Sequence, residues 1–276
     1  MIIKRSFIVY FSVIIFLLSF AFCSTLFCAE EIISALELIN NGQDLTRPRT
    51  RFDLRYQYDY FSHQASQNII TFRLDKPVAI SSQWQIATRI DLPLVIGNLQ
   101  AADNPSGKRQ FTTGDLLTEG YLVYSPNAQL AMGIGSQFIW PTAYDDQGGD
   151  GKYQFLPFVG VRYFLPQISL GSFALPSVQY VTDYAGNKNL PHIRMIKFAP
   201  TLHIIFPQRY FLEFYSSETM LYDFWASAWS IPANFMIGKM ITENIVVSIE
   251  FIIPMFKTNN YKQSNLFVET RVGIFF

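Results

Sequence analysis

The sequence predicts an all-β fold: a transmembrane antiparallel up-and-down β-barrel of about twelve strands behind an N-terminal signal peptide. Three observations lead there. The 276-residue chain is 50% hydrophobic and 16% aromatic but only 15% charged, below the roughly 25% charge of a soluble domain. Its mean hydropathy is nevertheless only +0.16, too low for a bundle of membrane helices. Long segments alternate apolar with polar residues, exceeding the usual strand of about five or six residues and matching the roughly 9–11 of a tilted membrane strand. The charge balance, 21 Lys+Arg against 21 Asp+Glu, argues against a nucleic-acid partner, which needs a basic excess.

The first element is a targeting segment. Lys4 and Arg5 precede an apolar run from Phe7 to Phe22 with small residues after it, the layout of a secretory signal peptide. Residues 1–29 are assigned to it. Cleavage after Cys23, with Ala21 at the −3 position, and after Ala29, with Phe27 there, both stay open, as does an uncleaved anchor. Cys23 and Cys28 supply no disulfide framework and no C-x-x-C site. Residues 30–49 form a periplasmic leader. Within it Glu30–Asn41 sets Ile32, Ile33, Leu36, Leu38 and Ile39 at helical spacing, with Asn40-Asn41-Gly42 as a stop. A short helix reaching into the barrel mouth as a partial plug and a disordered leader both fit.

The barrel domain takes residues 50–276. In its first strand Phe52, Leu54, Tyr56, Tyr58 and Tyr60 alternate with Arg51, Asp53, Arg55, Gln57 and Asp59. The second sets Ile70, Phe72 and Leu74 against Thr71, Arg73 and Asp75, and the third sets Trp84, Ile86, Ile90 and Leu92 against Gln83, Gln85, Arg89 and Asp91. Two uncharged stretches, 120–144 and 163–182, are long enough for spanning helices. Pro126, Pro166 and Pro176, with the amides beside them, would break helix hydrogen bonds in lipid, so both read as strands. Near the end Ile245, Val247, Ile249, Phe251 and Ile253 alternate with Asn244, Ser248 and Glu250. The last strand opposes Leu266, Val268, Val272, Ile274 and Phe276 to Glu269, Arg271 and Gly273. The strands fall at 50–61, 67–76, 81–94, 112–125, 128–141, 153–165, 168–182, 192–206, 208–217, 223–239, 243–256 and 263–276. Links alternate short and long, as periplasmic turns and outer loops do in such barrels. Phe276 ends an alternating strand and resembles the terminal signal that barrel-assembly machinery reads.

Several stretches then carry a family resemblance: TRPRTRFDLRYQYDY (Thr46–Tyr60), WQIATRIDLPL (Trp84–Leu94), Gly114-Asp115-Leu116-Leu117, GIGSQFIWPT (Gly133–Thr142), GDGK (Gly149–Lys152) and WSIPANFMIGK (Trp229–Lys239). Together with the terminal strand they resemble the outer-membrane barrel family labelled as transporters and as the phenol-degradation MetA-pathway family. The resemblance implies a passive channel for small solutes, hydrophobic or aromatic ones included, in the outer membrane of a Gram-negative-type cell. Its implied partners are membrane lipid and the solute.

Strand charges carry the candidate site. Asp53, Arg55, Asp59, Arg73, Asp75, Arg89, Asp91, Arg162, Lys197, Glu213, Glu250, Glu269 and Arg271 fall mostly on the polar phase. A lipid-facing Arg or Lys at mid-membrane costs about 2–4 kcal/mol, so these residues are expected to line the lumen. Their signs interleave, which predicts cross-strand ion pairs, with Glu269 and Arg271 meeting Asp53 and Arg55 at the closing seam. A polar permeation path and a pairing network that fills the barrel remain equal readings.

Other chemistry is set aside. His63, His192 and His203 lack metal-ligand spacing, with His203 on an inward phase as a lumen hydrogen-bonder. The loop Asp145–Gly151 lacks the spacing and final Glu of a calcium loop. Trp84, Trp140, Trp225 and Trp229 suit an interfacial girdle. No enzyme, cofactor or metal is expected. The alternatives are an occluded barrel with a structural or surface-interaction role and a lipid-acting barrel hydrolase, which would need a Ser/His pair on the outward face.

Overall fold

The computed structural model describes residues 40–61, 65–100, 104–144, 148–216, 219–258 and 265–276. The signal segment, residues 30–39 of the leader and His63 lie outside the described residues. Fourteen strand segments follow one another: β1 (Arg51–Tyr60), β2 (Ser66–Ala79), β3 (Trp84–Gly97), β4 (Gln110–Thr113), β5 (Leu116–Tyr124), β6 (Leu130–Trp140), β7 (Lys152–Phe164), β8 (Phe173–Gly186), β9 (Arg194–Ile205), β10 (Tyr210–Phe214), β11 (Met220–Asp223), β12 (Ala228–Met240), β13 (Ile245–Lys257) and β14 (Leu266–Phe275). All pairings are antiparallel, and β14 pairs β1 from Arg51↔Phe275 to Tyr60↔Leu266, which closes the ring. Closure matters because an open edge would leave unpaired backbone groups in hydrocarbon.

Two staves of the ring are broken. β4 and β5 both pair with β3, against Leu94–Gly97 and Trp84–Asp91 respectively. β10 and β11 both run between β9 and β12. The barrel therefore has twelve staves.

The second break has a chemical cause. Phe214 opposes Leu202 and Met220 opposes Phe198, so this stave carries two residues more than β9 across the gap. Pro200 on β9 and Pro232 on β12 flank it, and proline has no N–H to give the ladder. Pro200 opposes Pro176, and Pro232 opposes Pro254, so a row of prolines crosses the sheet there. Side chains supply replacement bonds. The Ser216 backbone N–H donates to Asn234 Oδ1 at 3.0 Å, and Ser216 Oγ and Asn234 Nδ2 both donate to Glu250 Oε1 at 2.6 Å. The strand periodicity placed elements at 208–217 and 223–239. The structure corrects this: Met220–Asp223 belongs to the earlier stave, and the turn falls at 224–227.

Because side chains alternate along a strand, each stave has two environments, here the reverse of a soluble protein's. On β1, Phe52, Leu54, Tyr56 and Tyr60 are exposed, while Arg51, Asp53, Arg55 and Asp59 are buried within the ring. The outward apolar face makes the fold a transmembrane barrel. Ile249 on β13 is exposed between Ser248 and the buried Glu250. Ile249→Arg should therefore destabilise the barrel in lipid vesicles by roughly 2–4 kcal/mol. Urea unfolding curves that coincide with the wild type would show that Ile249 does not face lipid.

The inward face is not uniformly polar. Phe173, Phe211, Val246 and Phe275 are almost fully buried inside. The interior wall thus has apolar as well as charged parts.

Candidate functional site

The charged part spans β14, β1, β2, β3 and β5. Register sets it: Asp75 lies opposite both Arg51 and Arg89, Arg73 opposite Asp91, and Arg89 opposite Glu119. Opposite residues on one face of a sheet touch, so the pairs follow from the pairing itself. Arg55 reaches Glu269 at 3.1 Å and Asp53 at 3.3 Å. Arg51 Nε lies 2.5 Å from Asp75, Arg89 Nε 2.7 Å from Asp75, and Arg89 Nη1 3.3 Å from Glu119. Arg73 makes a two-pronged contact with Asp91 at 2.7 and 2.6 Å. The chain of contacts continues onto β6 and β8, since Gln137 donates to Glu119 at 2.5 Å and Gln179 to Gln137 at 3.1 Å.

The rest of the wall mixes apolar residues with polar groups. Arg162 on β7 is 2% exposed and lies over the Phe164 ring, 3.8 Å from its centroid. His203 is fully buried, stacked on Phe173 at 4.7 Å, with Nδ1 2.6 Å from Glu213 Oε2. Lys197 is half-buried. At the outer end, Lys152 meets Asp183 at 3.3 Å.

Between the two parts runs the segment that precedes β1. Residues 40–50 enter the ring and return to its N-terminal end, where Arg49 Nη1 donates to the Asn40 carbonyl at 2.9 Å. Gly42, at φ +74°, makes the reversal; a residue with a Cβ is strained there. The Asp44 carboxylate caps the next turn, accepting from the Thr46 N–H at 2.9 Å and its hydroxyl at 2.6 Å. The loop touches both parts. Arg51 donates to the Gly42 carbonyl, and Arg271 on β14 donates to the Asn41 carbonyl at 3.1 Å. Across the ring Asp44 lies 3.5 Å from Arg162 on β7 and Asn41 Nδ2 3.2 Å from His203 Nε2 on β9, while Gln43 Nε2 reaches the Met236 sulfur on β12 at 3.0 Å. Leu45 fills the middle, packed against Phe164, Phe173 and Leu175 and against Ala87, Tyr121 and Val123. Gly133 leaves it room: a Cβ there would sit 2.4 Å from Leu45 Cδ1.

Of the sequence candidates, Asp53, Arg55, Asp59, Asp75, Asp91, Arg162, Glu213, Glu250, Glu269 and Arg271 are buried inside the ring, and Arg73 and Arg89 are half-buried. Arg51 and Glu119, absent from that set, belong to the same network. Arg51 lay on the alternating phase of its strand and was legible by it. The part of the leader from Asn40 to Arg49 proves to lie within the barrel and is not helical over the described residues. Phe276 is exposed, its N–H bonded to the Thr50 carbonyl at 3.1 Å, while Phe275 is the residue turned inward. Trp84, Trp140, Trp225 and Trp229 are all exposed. His192 meets Asp183 at 3.0 Å on the surface.

No family model matches the chain, and no curated protein matches it in sequence. Solved structures do match in fold. An outer membrane channel from Pseudomonas putida F1 superposes with a TM-score of 0.63 at 13% identity, over 83% of this chain and 95% of that one. The KdgM porin gives 0.49 at 10% identity, over 82% and 99%. Outer membrane phospholipase A from Escherichia coli also gives 0.49 at 10% identity, over 87% and 97%. At these identities the likeness is one of fold: a closed barrel of the outer-membrane type.

Proposed function

We propose that the protein is an outer-membrane channel for the passive passage of small solutes, exported by a cleaved signal peptide and closed in this state by its own segment 40–50. The observation that carries the reading is the loop itself. It occupies a polar-and-apolar passage between two walls, held by a handful of side-chain contacts and no strand pairing. A passage lined on one side by charges and on the other by Phe158, Phe173 and Leu175 suits solutes with an apolar body. The resemblance to the phenol-degradation family supports aromatic ones among them. Twelve staves fall between filled eight-stranded barrels and open channels of about 16–18 strands.

The test is single-channel recording of the refolded mature protein with a panel of charged, polar and aromatic solutes. Discrete openings that a subset of solutes alters are expected. A silent bilayer would favour the second reading, an occluded barrel with a structural or surface-interaction role. That reading has its own support in the continuous ion-pair network. Lipid hydrolysis is the weaker alternative, because both ring nitrogens of the inward-facing His203 are engaged, by Glu213 and Asn41.

Delivery to the outer membrane by the barrel-assembly machinery is part of the same proposal. Deleting Phe276 should lower the folded outer-membrane pool severalfold, as read by heat-modified mobility in membrane fractions. An undiminished pool would remove the terminal aromatic from the signal.

A further inference from the structure

We infer that the seat of the loop is a binding site for a small carboxylate with an apolar body, and that Asp44 and Leu45 occupy it as an internal competitor. The inference rests on the channel reading and names the chemistry of solute that its passage selects. Asp44 puts a carboxylate oxygen 3.5 Å from Arg162 Nη1, and Leu45, the next residue, packs on Phe164, Phe173 and Leu175 beside it. A molecule that joins a charge to an apolar body several bonds long would fill the same two positions.

Around Arg162 the wall offers few acceptors. Asp44 is the only carboxylate within ion-pair distance of Arg162 among the described residues. The other contacts of Arg162 are the Ala128 carbonyl at 3.2 Å and the Phe164 face. Its Nε is buried with no partner. Six staves away, on the far side of the ring, Arg271 donates to the Asn41 carbonyl while its Nε and Nη1 are buried without hydrogen-bond partners; Asp53 is 4.0 Å off. Unpaired guanidinium nitrogens in a closed interior are costly. Both arginines reach the loop through another nitrogen of the same guanidinium group.

Asp44 itself would not be stranded by release. Thr46 and Arg47, both within the loop, already bond its carboxylate, Arg47 at 2.9 Å. The loop can therefore leave the seat as a folded turn with its charge compensated, whereas Arg162 cannot lose Asp44 without gaining another anion. That asymmetry favours exchange: one carboxylate out, another in.

Competition makes a measurable demand. A ligand that must displace an internal occupant binds more weakly by the fraction of time that the seat is vacant. Calorimetry on the mature protein in nanodiscs, with hexanoate as the probe, reads this directly. Acetate lacks the apolar body, and 1-hexanol lacks the charge while entering the bilayer as hexanoate does. Asp44→Asn should tighten hexanoate binding at least about tenfold, with no comparable gain for acetate or hexanol. Adding Arg162→Gln to that variant should abolish the gain. If the Gln variant does not fold, Arg162→Lys serves, and should weaken hexanoate at least about threefold because the planar fork is lost. Equal hexanoate affinity with and without Asp44, or affinity indifferent to residue 162, overturns the inference. A barrel that binds hexanoate competitively but never conducts would defeat the channel reading alone. One that conducts without competition would defeat this site alone.

Discussion

A mature chain that begins at Thr50 should carry at least about ten times the current of one that retains Asn40–Arg49. The truncation removes every contact that the loop makes with the two walls and leaves all fourteen strand segments intact. Tenfold corresponds to a net hold of only about 1.4 kcal/mol in favour of the seated loop. Burial of Leu45 alone is worth roughly 1.5–3 kcal/mol, and the charge-assisted contacts of Arg51, Arg162 and Arg271 add to it. Ordering the loop opposes these gains, since each fixed residue costs roughly 1–2 kcal/mol of backbone entropy. The net hold is thus modest, as a removable closure requires. Planar-bilayer recording compares the two chains. Equal currents would mean that the passage is closed by the ion-pair network instead.

Arg89→Ala should shift ion selectivity toward cations and lower stability by about 2–4 kcal/mol. Arg89 bridges Asp75 and Glu119, at 2.7 and 3.3 Å. Without it Asp75 keeps Arg51 and Glu119 keeps Gln137, so neither carboxylate is fully stranded. That compensation holds the expected loss below the 3–5 kcal/mol or so of a buried pair broken outright. Arg73→Ala is the harsher test, because Asp91 takes two hydrogen bonds from Arg73. Reversal potentials in a salt gradient report selectivity, and thermal unfolding reports stability. If both readouts match the wild type for Arg89→Ala, the charged wall neither lines the path nor braces the ring.

The alternation of Phe52, Leu54 and Tyr56 with Asp53 and Arg55 needed no tertiary information, because period two fixes both faces once one is known to meet lipid. The seam was legible for the same reason: in a closed ring the last strand has only the first to pair with, and Arg55 does meet Glu269. The broken stave was not. Pro176, Pro200, Pro232 and Pro254 are visible as letters, but their effect depends on standing in register across four strands. Glu119 escaped because Leu116-Leu117 blurs the phase of its strand. The loop was hidden more deeply. Asn40-Asn41-Gly42-Gln43-Asp44 is a polar turn-forming run, and such a run looks alike whether it meets water or a polar lumen. Apolar residues on the inward phase, Phe173 and Leu175 among them, likewise carry no local sign that a Leu from another segment will cover them.

The loop lies across a diameter. β7, which carries Arg162, is half the circumference from β14, which carries Arg271, and the segment from Asn41 to Asp44 touches both. Until the final strand docks on the first, Arg271 has no fixed place and the Asn41 carbonyl lacks its donor. The loop's full set of bonds is therefore available only to the closed ring. A ring one hairpin smaller or larger would move β7 and β14 relative to each other and leave Asp44 or the Asn41 carbonyl short of its arginine.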